Sequence, residues 1–210
     1  KKFIHIGTSE MYGLQKKVPF DVQETPNPMS PYSLAKLSSE SYVRLKARQS
    51  KINIACIRPF NTFGPYQSEK AIIPEMIIKC LRGEEIRTTL GKQTREFNFI
   101  DNIIDGFLLI AKKVNNEDTP INLGNNQPIK IKDLVKKIHF LTNSNSILKI
   151  GSIKYRPNEI WKMQANNKII KNKLKWKPQV DFNTGIKKTI TWYKKFLKLY
   201  NKENLFIHLQ

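Results

Sequence analysis

The sequence predicts an α/β protein in which a parallel sheet is covered by helices. Two short runs of apolar, mostly branched residues, 3–6 and 52–57, have the length and composition of buried strands. A helix beginning near Pro31 lies between them. Strand, helix and strand in this order indicate parallel pairing through a right-handed crossover. With 210 residues, 40% of them hydrophobic, the chain can bury one large core or two small ones.

The first strand leads into a polar turn, and the helix that follows carries a second set of polar groups. Thr8 and Glu10 come directly after the strand, Tyr32 lies in the first turn of the helix, and Lys36 lies one turn later. A strand end and a helix start meet at the same edge of such a sheet. We therefore expect Thr8, Glu10 and Tyr32 to converge there in a catalytic arrangement.

Later segments continue the alternation of strands and helices. The second strand ends at Arg58-Pro59, and the loop after it leaves the carboxyl edge of the sheet, where ligands of α/β proteins collect. The patterns then predict a helix over 71–82 that Gly83 stops, a strand over 95–100, and a helix capped by Asp101. A strand over 120–123, a helix over 132–141, and strand and loop over 149–161 follow. A terminal helix begins at Thr184, and we expect its apolar stripe to face the core: Ile186, Ile190, Tyr193, Leu197 and Tyr200.

Composition limits the classes of partner. The formal charge is +20, but the lysines are spread along the chain without an arginine-rich arm, a zinc finger or an aromatic-basic motif, so we expect no specific nucleic-acid partner. Cys56 and Cys80 are far apart, and neither a disulfide framework nor a metal site is expected. No apolar run is long enough to cross a bilayer, and cytoplasmic residence is the expectation.

The pair Tyr32 and Lys36 favours acid/base chemistry. A tyrosine phenol is too weakly acidic to serve as a base at neutral pH unless a nearby cation stabilises its anion. Lys36 is four residues along the same helix and lies on the same face. Tyr-x-x-x-Lys alone also arises by chance in amphipathic helices, and its weight here comes from the Thr8-Ser9-Glu10 turn upstream and the strand ending at Arg58-Pro59 downstream.

Together these segments resemble the extended short-chain dehydrogenase/reductase family, the NAD-dependent nucleotide-sugar epimerases and dehydratases. The resemblance covers almost the whole chain and rests on ordered motifs: Phe3-Ile-His-Ile-Gly-Thr-Ser-Glu-Met-Tyr-Gly13, Ser30-Pro-Tyr-Ser-Leu-Ala-Lys36, Arg58-Pro-Phe-Asn-Thr-Phe-Gly-Pro65, Thr94-Arg-Glu-Phe-Asn-Phe-Ile-Asp101, Arg156-Pro157 and Trp176-Lys-Pro178. It implies the later part of a Rossmann-type parallel sheet with helices, together with a smaller α/β substrate-binding lobe.

The resemblance also implies roles for individual residues. Tyr32 would be the acid/base at the sugar hydroxyl, and Lys36 would hold the nicotinamide ribose of NAD or NADP. Thr8 would hydrogen-bond the sugar. The remaining implied contacts are Pro59 with the cofactor, and Asn61, Arg95 and Arg156 with the nucleotide-diphosphate sugar, whose phosphates suit the guanidinium fork. Without the resemblance, a loop asparagine bonding its own backbone and arginines paired with acids are the simpler interpretations.

Glu10 distinguishes reactions within this family. A 4-epimerase moves one hydride, whereas a 4,6-dehydratase also needs a base for the C5 proton and an acid for the departing C6 hydroxyl. A carboxylate beside Thr8 favours dehydration, and Ser9 stands where glucose-nucleotide dehydratases carry an aspartate, so both belong to the predicted catalytic set. The motifs look most like the GDP-mannose and UDP-N-acetylglucosamine dehydratases. A 4-epimerase, a UDP-glucuronate decarboxylase, and an inactive remnant or basic binding module remain alternatives.

Family members carry a glycine-rich turn that binds the dinucleotide, and none of the nine glycines here forms such a cluster. We therefore expect the chain to be the later part of a longer enzyme, inactive by itself. Residues 1–66 and about 98–125 would complete the dinucleotide-binding domain, and about 67–97 and 126–210 would form the substrate lobe. The family also implies a homodimer that pairs through the helix carrying Tyr32.

Overall fold

A computed structural model describes residues 2–15, 17–50, 52–115 and 119–203, with side chains to residue 198. The strands are β1 (Lys2–Ile6), β2 (Asn53–Pro59), β3 (Thr62–Phe63), β4 (Ile86–Thr88), β5 (Thr94–Glu96), β6 (Asn98–Phe99), β7 (Ile121–Leu123), β8 (Pro128–Lys130), β9 (Leu148–Ile150) and β10 (Lys162–Met163). The helices are α1 (Pro31–Gln49), α2 (Ile72–Arg82), α3 (Ile100–Lys113), α4 (Ile131–Leu141), α5 (Lys168–Leu174) and α6 (Phe182–Glu203), and a 3-10 helix spans Ser9–Tyr12. The α/β class is confirmed.

The chain folds into two compact units. The first is formed by the described residues within Lys1–Thr62, Gln93–Ile129 and Asn158–Val180, and the second by those within Phe63–Lys92, Lys130–Pro157 and Asp181–Gln210. These boundaries differ from the sequence-based ones, which assign 93–97 and 158–180 to the substrate lobe. The physical reason is that β5 pairs with β10, while α5 packs against β7. The roles of the two units remain predictions.

The central sheet of the first unit is parallel, in the order β1-β2-β7. Its register pairs Ile6 with Ile57 and Pro59 with Leu123, so the strands that precede the polar turn and the Asn61 loop end at one edge. One core lies between this sheet and the helices α3 and α5, and it includes Ile57, Ile110 and Leu123. A second core surrounds Tyr12, Phe20 and Phe60.

Helix α1 differs from the other long helices in what it buries. Its apolar residues Leu34, Tyr42 and Leu45 are each at least half exposed, while the residues it buries are Ser33 and Glu40. These apolar side chains therefore lie on a face of α1 that the first unit does not cover. Polar contacts hold α1 to the unit instead.

Two predictions at the start of α3 are wrong. The strand expected over 95–100 is interrupted at Phe97, and α3 begins immediately after β6 at Ile100. Phe99 therefore occupies the N-cap position without a side-chain hydrogen bond, and Asp101 lies inside the first turn. A carboxylate there still suits the helix dipole.

The second unit contains α2, α4 and α6 with the parallel pair β4 and β9. The predicted stop of α2 is confirmed, because Gly83 takes the left-handed conformation at its end. Ile186, Ile190, Tyr193 and Leu197 of α6 are buried, as their spacing predicts, whereas the side chain of Tyr200 lies outside the described part of the chain. Among the described helices, none is both long and apolar enough to span a membrane.

Candidate active site

The turn after β1 positions the first group of predicted site residues. Thr8 is extended and caps the 3-10 helix, its hydroxyl accepting a hydrogen bond from the Glu10 amide at 3.2 Å. Thr8 is buried, whereas the Glu10 side chain is exposed. Gly13 ends the turn with φ of 59°. The chain therefore presents one carboxylate to solvent at the carboxyl edge of the sheet.

The start of α1 brings the second group to the same edge. Ser30 and Ser33 form a capping box, and Pro31 occupies the first turn, a position where its missing N–H costs nothing. The Ser30 hydroxyl lies 3.5 Å from Glu10 Oε2, a long hydrogen bond between the two segments. The predicted proximity of Glu10 to the beginning of α1 is thus seen in the structure.

Tyr32 and Lys36 lie beside the end of β1. Lys36 Nζ donates to the carbonyl oxygen of Ile6 at 3.0 Å and is 6.0 Å from the centroid of the Tyr32 ring. Tyr32 is 52% exposed, so a ligand at this edge could reach its hydroxyl. A cation, a phenol and a carboxylate are therefore available at one edge of the sheet, and this combination supports proton transfer at a bound hydroxyl.

Ser9 lies apart from this exposed group. Its side chain is buried, and its hydroxyl donates to Met163 Sδ at 3.7 Å. The backbone of a 3-10 helix turns through about 120° per residue, so neighbouring side chains point in different directions. Ser9 faces the interior of the first unit while Glu10 faces solvent.

Residues after β2 lie at the same edge and are already engaged with the protein. Pro59 is half-buried at the end of the strand, where it is in register with Leu123. The Asn61 amide donates to the Glu96 carbonyl oxygen at 3.2 Å and approaches Met163 Sδ at 3.5 Å. Asn61 is therefore held in a fixed position by its own unit.

Arg95 is paired within the first unit, whereas Arg156 belongs to the second. The Arg95 guanidinium donates to Glu159 Oε1 at 2.9 Å and to the Thr94 carbonyl oxygen at 2.9 Å. Burial lowers the pKa of Arg95, and the Glu159 carboxylate opposes that shift. Arg156 is exposed. The structure thus gives each arginine its own surroundings, and their shared role at a diphosphate remains a prediction.

The first unit also contains a buried polar network that the sequence interpretation missed. Arg58 contacts both oxygens of Glu40, with Nε–Oε2 and Nη2–Oε1 distances of 3.1 and 2.7 Å, and donates to the Tyr12 hydroxyl at 2.9 Å. That hydroxyl donates in turn to Asn122 Oδ1 at 2.7 Å. Glu40 lies four residues after Lys36 on α1, and this spacing is the sequence feature that could have indicated it.

Glu96 is a second buried acid outside the predicted set. Its carboxylate accepts from the Ala165 amide at 2.6 Å and from Asn98 Nδ2 at 3.2 Å. Burial raises the pKa of Glu96, although these hydrogen bonds oppose the shift. Gly124 makes room for it, since a Cβ there would stand 2.0 Å from Glu96 Oε1. Its tight enclosure indicates a structural role at the junction of β5, β7 and β10.

The fold and this edge define a class of protein: an α/β enzyme of the short-chain dehydrogenase/reductase type, with the Tyr-x-x-x-Lys pair at the start of a helix beside a Thr-Ser-Glu turn. Comparison with known families makes the assignment narrower. The family model described as GDP-mannose 4,6 dehydratase matches residues 1–189, and the chain belongs to this family.

Individual relatives agree with the family assignment. The chain is 30% identical over 206 residues to human dTDP-D-glucose 4,6-dehydratase, covering 92% of this chain and 57% of the relative. It is similar to UDP-glucose 4-epimerase from Thermotoga maritima, with a TM-score of 0.87, 29% identity, and coverage of 94% of this chain and 64% of that structure. The structure of UDP-glucuronic acid 4-epimerase from Bacillus cereus, in complex with UDP-glucuronic acid and NAD, is also similar. Its TM-score is 0.85 and its identity 26%, and the match covers 93% of this chain and 62% of that structure. The chain thus spans less than two thirds of these proteins.

Proposed function

We propose that this chain carries the acid/base half of the active site of an NAD(P)-dependent nucleotide-sugar 4,6-dehydratase. The observation that carries the proposal is the meeting of Glu10 with the start of the helix that bears Tyr32 and Lys36. The similarity to a dTDP-D-glucose 4,6-dehydratase supports it. A 4-epimerase has no step that needs the added carboxylate.

Tyr32 and Lys36 fit a nicotinamide cofactor. Both lie at the carboxyl edge of a parallel sheet, where such cofactors bind, and Lys36 can donate to a ribose hydroxyl from its place beside Ile6. A bound NAD would supply hydride transfer at C4 and C6 of the sugar. Pro59, half-buried at the end of β2, would line the cofactor.

The chain's own residues would move the protons. Tyr32 would take the proton of the C4 hydroxyl, with the Lys36 cation stabilising the phenolate. Glu10 would take the C5 proton and transfer it to the C6 hydroxyl, which leaves as water, and Thr8 would hold the sugar by a hydrogen bond. The buried Ser9 is the weakest member of the predicted set, because its hydroxyl is directed at Met163.

The diphosphate of the substrate would be held by arginines. Arg95 would have to exchange part of its pairing with Glu159 for phosphate oxygens. Arg156, whose side chain is exposed, is the second guanidinium that the family resemblance assigns to the diphosphate. Asn61 is held rigidly enough to place an amide near the sugar or phosphate. These contacts follow from the family resemblance, and the ion pair with Glu159 would hold the Arg95 guanidinium in place until substrate binds.

A second candidate function is NAD-dependent 4-epimerisation. The solved structures of 26–29% identity described above are 4-epimerases, and an epimerase would use Tyr32 and Thr8 with Glu10 as a bystander. UDP-glucuronate decarboxylase and an inactive remnant are the further alternatives. Turnover products distinguish them.

The test is an assay of the gene product at its native length. The protein is incubated with NAD and, separately, UDP-N-acetylglucosamine, GDP-mannose, dTDP-glucose, UDP-glucuronate and UDP-galactose, and products are identified by mass spectrometry and NMR. We expect a 4-keto-6-deoxy sugar from at least one substrate. An epimer without keto product would establish the epimerase, loss of carbon dioxide would establish the decarboxylase, and no turnover would favour the remnant.

The exposed apolar residues of α1, Leu34, Tyr42 and Leu45, support the expectation of a homodimer. Light scattering after size exclusion measures this directly, and a monomer at micromolar concentration would contradict it. A cytoplasmic location likewise remains part of the proposal.

A further inference from the structure

Helix α1 carries the predicted catalytic pair but contributes few apolar side chains to the core of its unit. Its buried residues are Ser33 and Glu40. At the end nearest the site, polar contacts attach α1 to the rest of the unit. They are the hydrogen bond from Lys36 to the Ile6 carbonyl oxygen at 3.0 Å, the one between Ser39 and His5 Nε2 at 3.3 Å, and the bidentate pair of Glu40 with Arg58. Hydrogen bonds depend on direction as well as distance, so these contacts determine the position of α1 more narrowly than apolar packing would.

Arg58 makes a second set of contacts on the other side of its guanidinium. Nη1 donates to the Tyr12 hydroxyl at 2.9 Å, and the Arg58 carbon Cζ lies 5.0 Å from the centroid of the Tyr12 ring. Tyr12 is the last residue of the 3-10 helix that begins with Ser9 and Glu10. One side chain of β2 therefore contacts both segments that carry the predicted site.

None of the three residues can reach a substrate. Tyr12, Glu40 and Arg58 are 0%, 1% and 3% exposed. Glu40 nevertheless lies directly beneath the turn, since a Cβ built on Gly7 would stand 3.2 Å from Glu40 Oε2. The network thus passes under the residues that precede Thr8 without entering the site.

A buried ion pair is a weak source of stability, because the cost of removing two charges from water offsets much of their attraction. The network's geometry offers something that a hydrophobic replacement of equal volume lacks, namely a fixed distance between α1 and the 3-10 helix. We propose that Tyr12, Glu40 and Arg58 are positioning residues that hold Tyr32 and Lys36 in register with Thr8 and Glu10. This inference rests on the proposed function of the site.

The test begins with Tyr12→Phe in the gene product at its native length. This change keeps the ring that packs against Phe20 and Phe60 and removes the hydroxyl that Arg58 contacts. We expect kcat to fall by between about 10- and 100-fold, the effect of small displacements in an active site, while KM stays within about twofold. The matched control is Ile110→Val, a core change in the same unit that does not touch the network.

The alternative that the network only stabilises the fold predicts a different result. The melting temperatures of Tyr12→Phe and Ile110→Val are measured first, and both variants are assayed well below them. If the network only stabilises the fold, the two changes lower activity to the same extent. Equal kcat values in these two variants would overturn the proposal.

A second variant, Glu40→Gln, tests the other arm of Arg58. If the contacts of Arg58 with Tyr12 and with Glu40 act only together, the double variant Tyr12→Phe/Glu40→Gln has a kcat no lower than that of the worse single variant. Independent contributions would instead multiply. Multiplication of the two effects would contradict a single positioning unit.

Hydrogen exchange provides a measurement that does not depend on turnover. In Tyr12→Phe, the amides of Ser9–Tyr12 should exchange faster than in wild type, while those of α3 remain unchanged. Uniform acceleration across the unit, or none, would overturn the positioning role. If the wild-type protein turns over no nucleotide sugar, the proposed function fails, and the exchange result decides the geometric claim by itself.

Discussion

At the scale of single residues, three consecutive positions after β1 have three different surroundings. Thr8 is buried and caps the turn, Ser9 is buried against Met163, and Glu10 is exposed beside Ser30. A general acid or base must lie within hydrogen-bond reach of the substrate proton that it transfers. Exposure at the edge of the sheet therefore favours Glu10 over Ser9 as the catalytic group. The sequence predicts one catalytic set that contains all three residues, whereas the structure shows that their side chains point in different directions.

Glu10→Gln should slow dehydration strongly and spare the earlier proton transfer at C4. General acid/base catalysis contributes about 10²- to 10⁴-fold, so we expect a loss of keto-sugar formation within that range. Product analysis and solvent deuterium incorporation at C5 measure it. Glu24→Gln, the same change in the loop that follows, is the control and should leave the rate unchanged. A Glu10→Gln enzyme that dehydrates at the normal rate would remove Glu10 from the mechanism.

His5 predicts a pH dependence of stability. Burial lowers the pKa of His5; the Glu40 carboxylate opposes the shift and Lys36 adds to it. The unfolded chain, with an ordinary value near 6.5, therefore takes up a proton before the folded chain does. Stability contributed by neutral His5 is present above about pH 6.5 and is lost as the pH falls through the lowered folded value.

The measurement is the free energy of unfolding in urea between about pH 7 and pH 5, compared between wild type and His5→Gln. The variant should lose less stability than wild type as the pH falls. His139→Gln, the same change at a histidine of the second unit, is measured alongside as a comparison for the loss of an imidazole elsewhere in the chain. Parallel curves for wild type and His5→Gln would contradict the prediction, because they would mean that the pKa of His5 is the same in the folded and the unfolded chain.

At the scale of elements, two glycines end a helix in different ways. Gly13 closes the 3-10 helix with φ of 59° and ψ of −134°, a region that other residues avoid, whereas Gly83 ends α2 in the ordinary left-handed region. A Cβ on Gly13 would stand 1.7 Å from the backbone oxygen of Asn27. On Gly83 the nearest atom is a side-chain oxygen of Asn145, 3.0 Å away.

Gly13→Ala should therefore be the more damaging of two formally identical changes. Gly83→Ala carries the left-handed penalty of roughly 1–2 kcal/mol. Gly13→Ala adds a backbone collision, so we expect a larger loss in urea unfolding and, because the turn carries Glu10, a loss of activity. Equal destabilisation by the two changes would contradict this prediction, because it would mean that the backbone at Asn27 moves away from the added Cβ at little cost.

At the scale of the whole molecule, the dominant feature is the formal charge of +20. Such an excess attracts polyanions without selecting among them, because the counterions released from phosphates supply the affinity. We expect weak binding to duplex DNA at low salt that disappears as salt rises and is equal for unrelated sequences of one length. Fluorescence anisotropy over a salt series measures this. Sequence-selective binding that survives raised salt would revive a nucleic-acid function.

The sequence by itself determined the α/β class and the strands and helices that flank the site, and it predicted the set Thr8, Glu10, Tyr32 and Lys36. These depend on local patterns: apolar runs, a polar turn directly after the first strand, and a four-residue spacing on one helix face. Such patterns operate over a few residues and so are visible in a single chain.

Only the tertiary structure decided which side chains are buried and which partners they have. The link between Glu40 and Arg58 spans 18 residues, and that between Tyr12 and Asn122 spans 110. The exposure of the apolar face of α1 and the strand break at Phe97 were likewise invisible to periodicity. The physical reason is that burial and pairing depend on which strands become neighbours, and no local spacing records that choice.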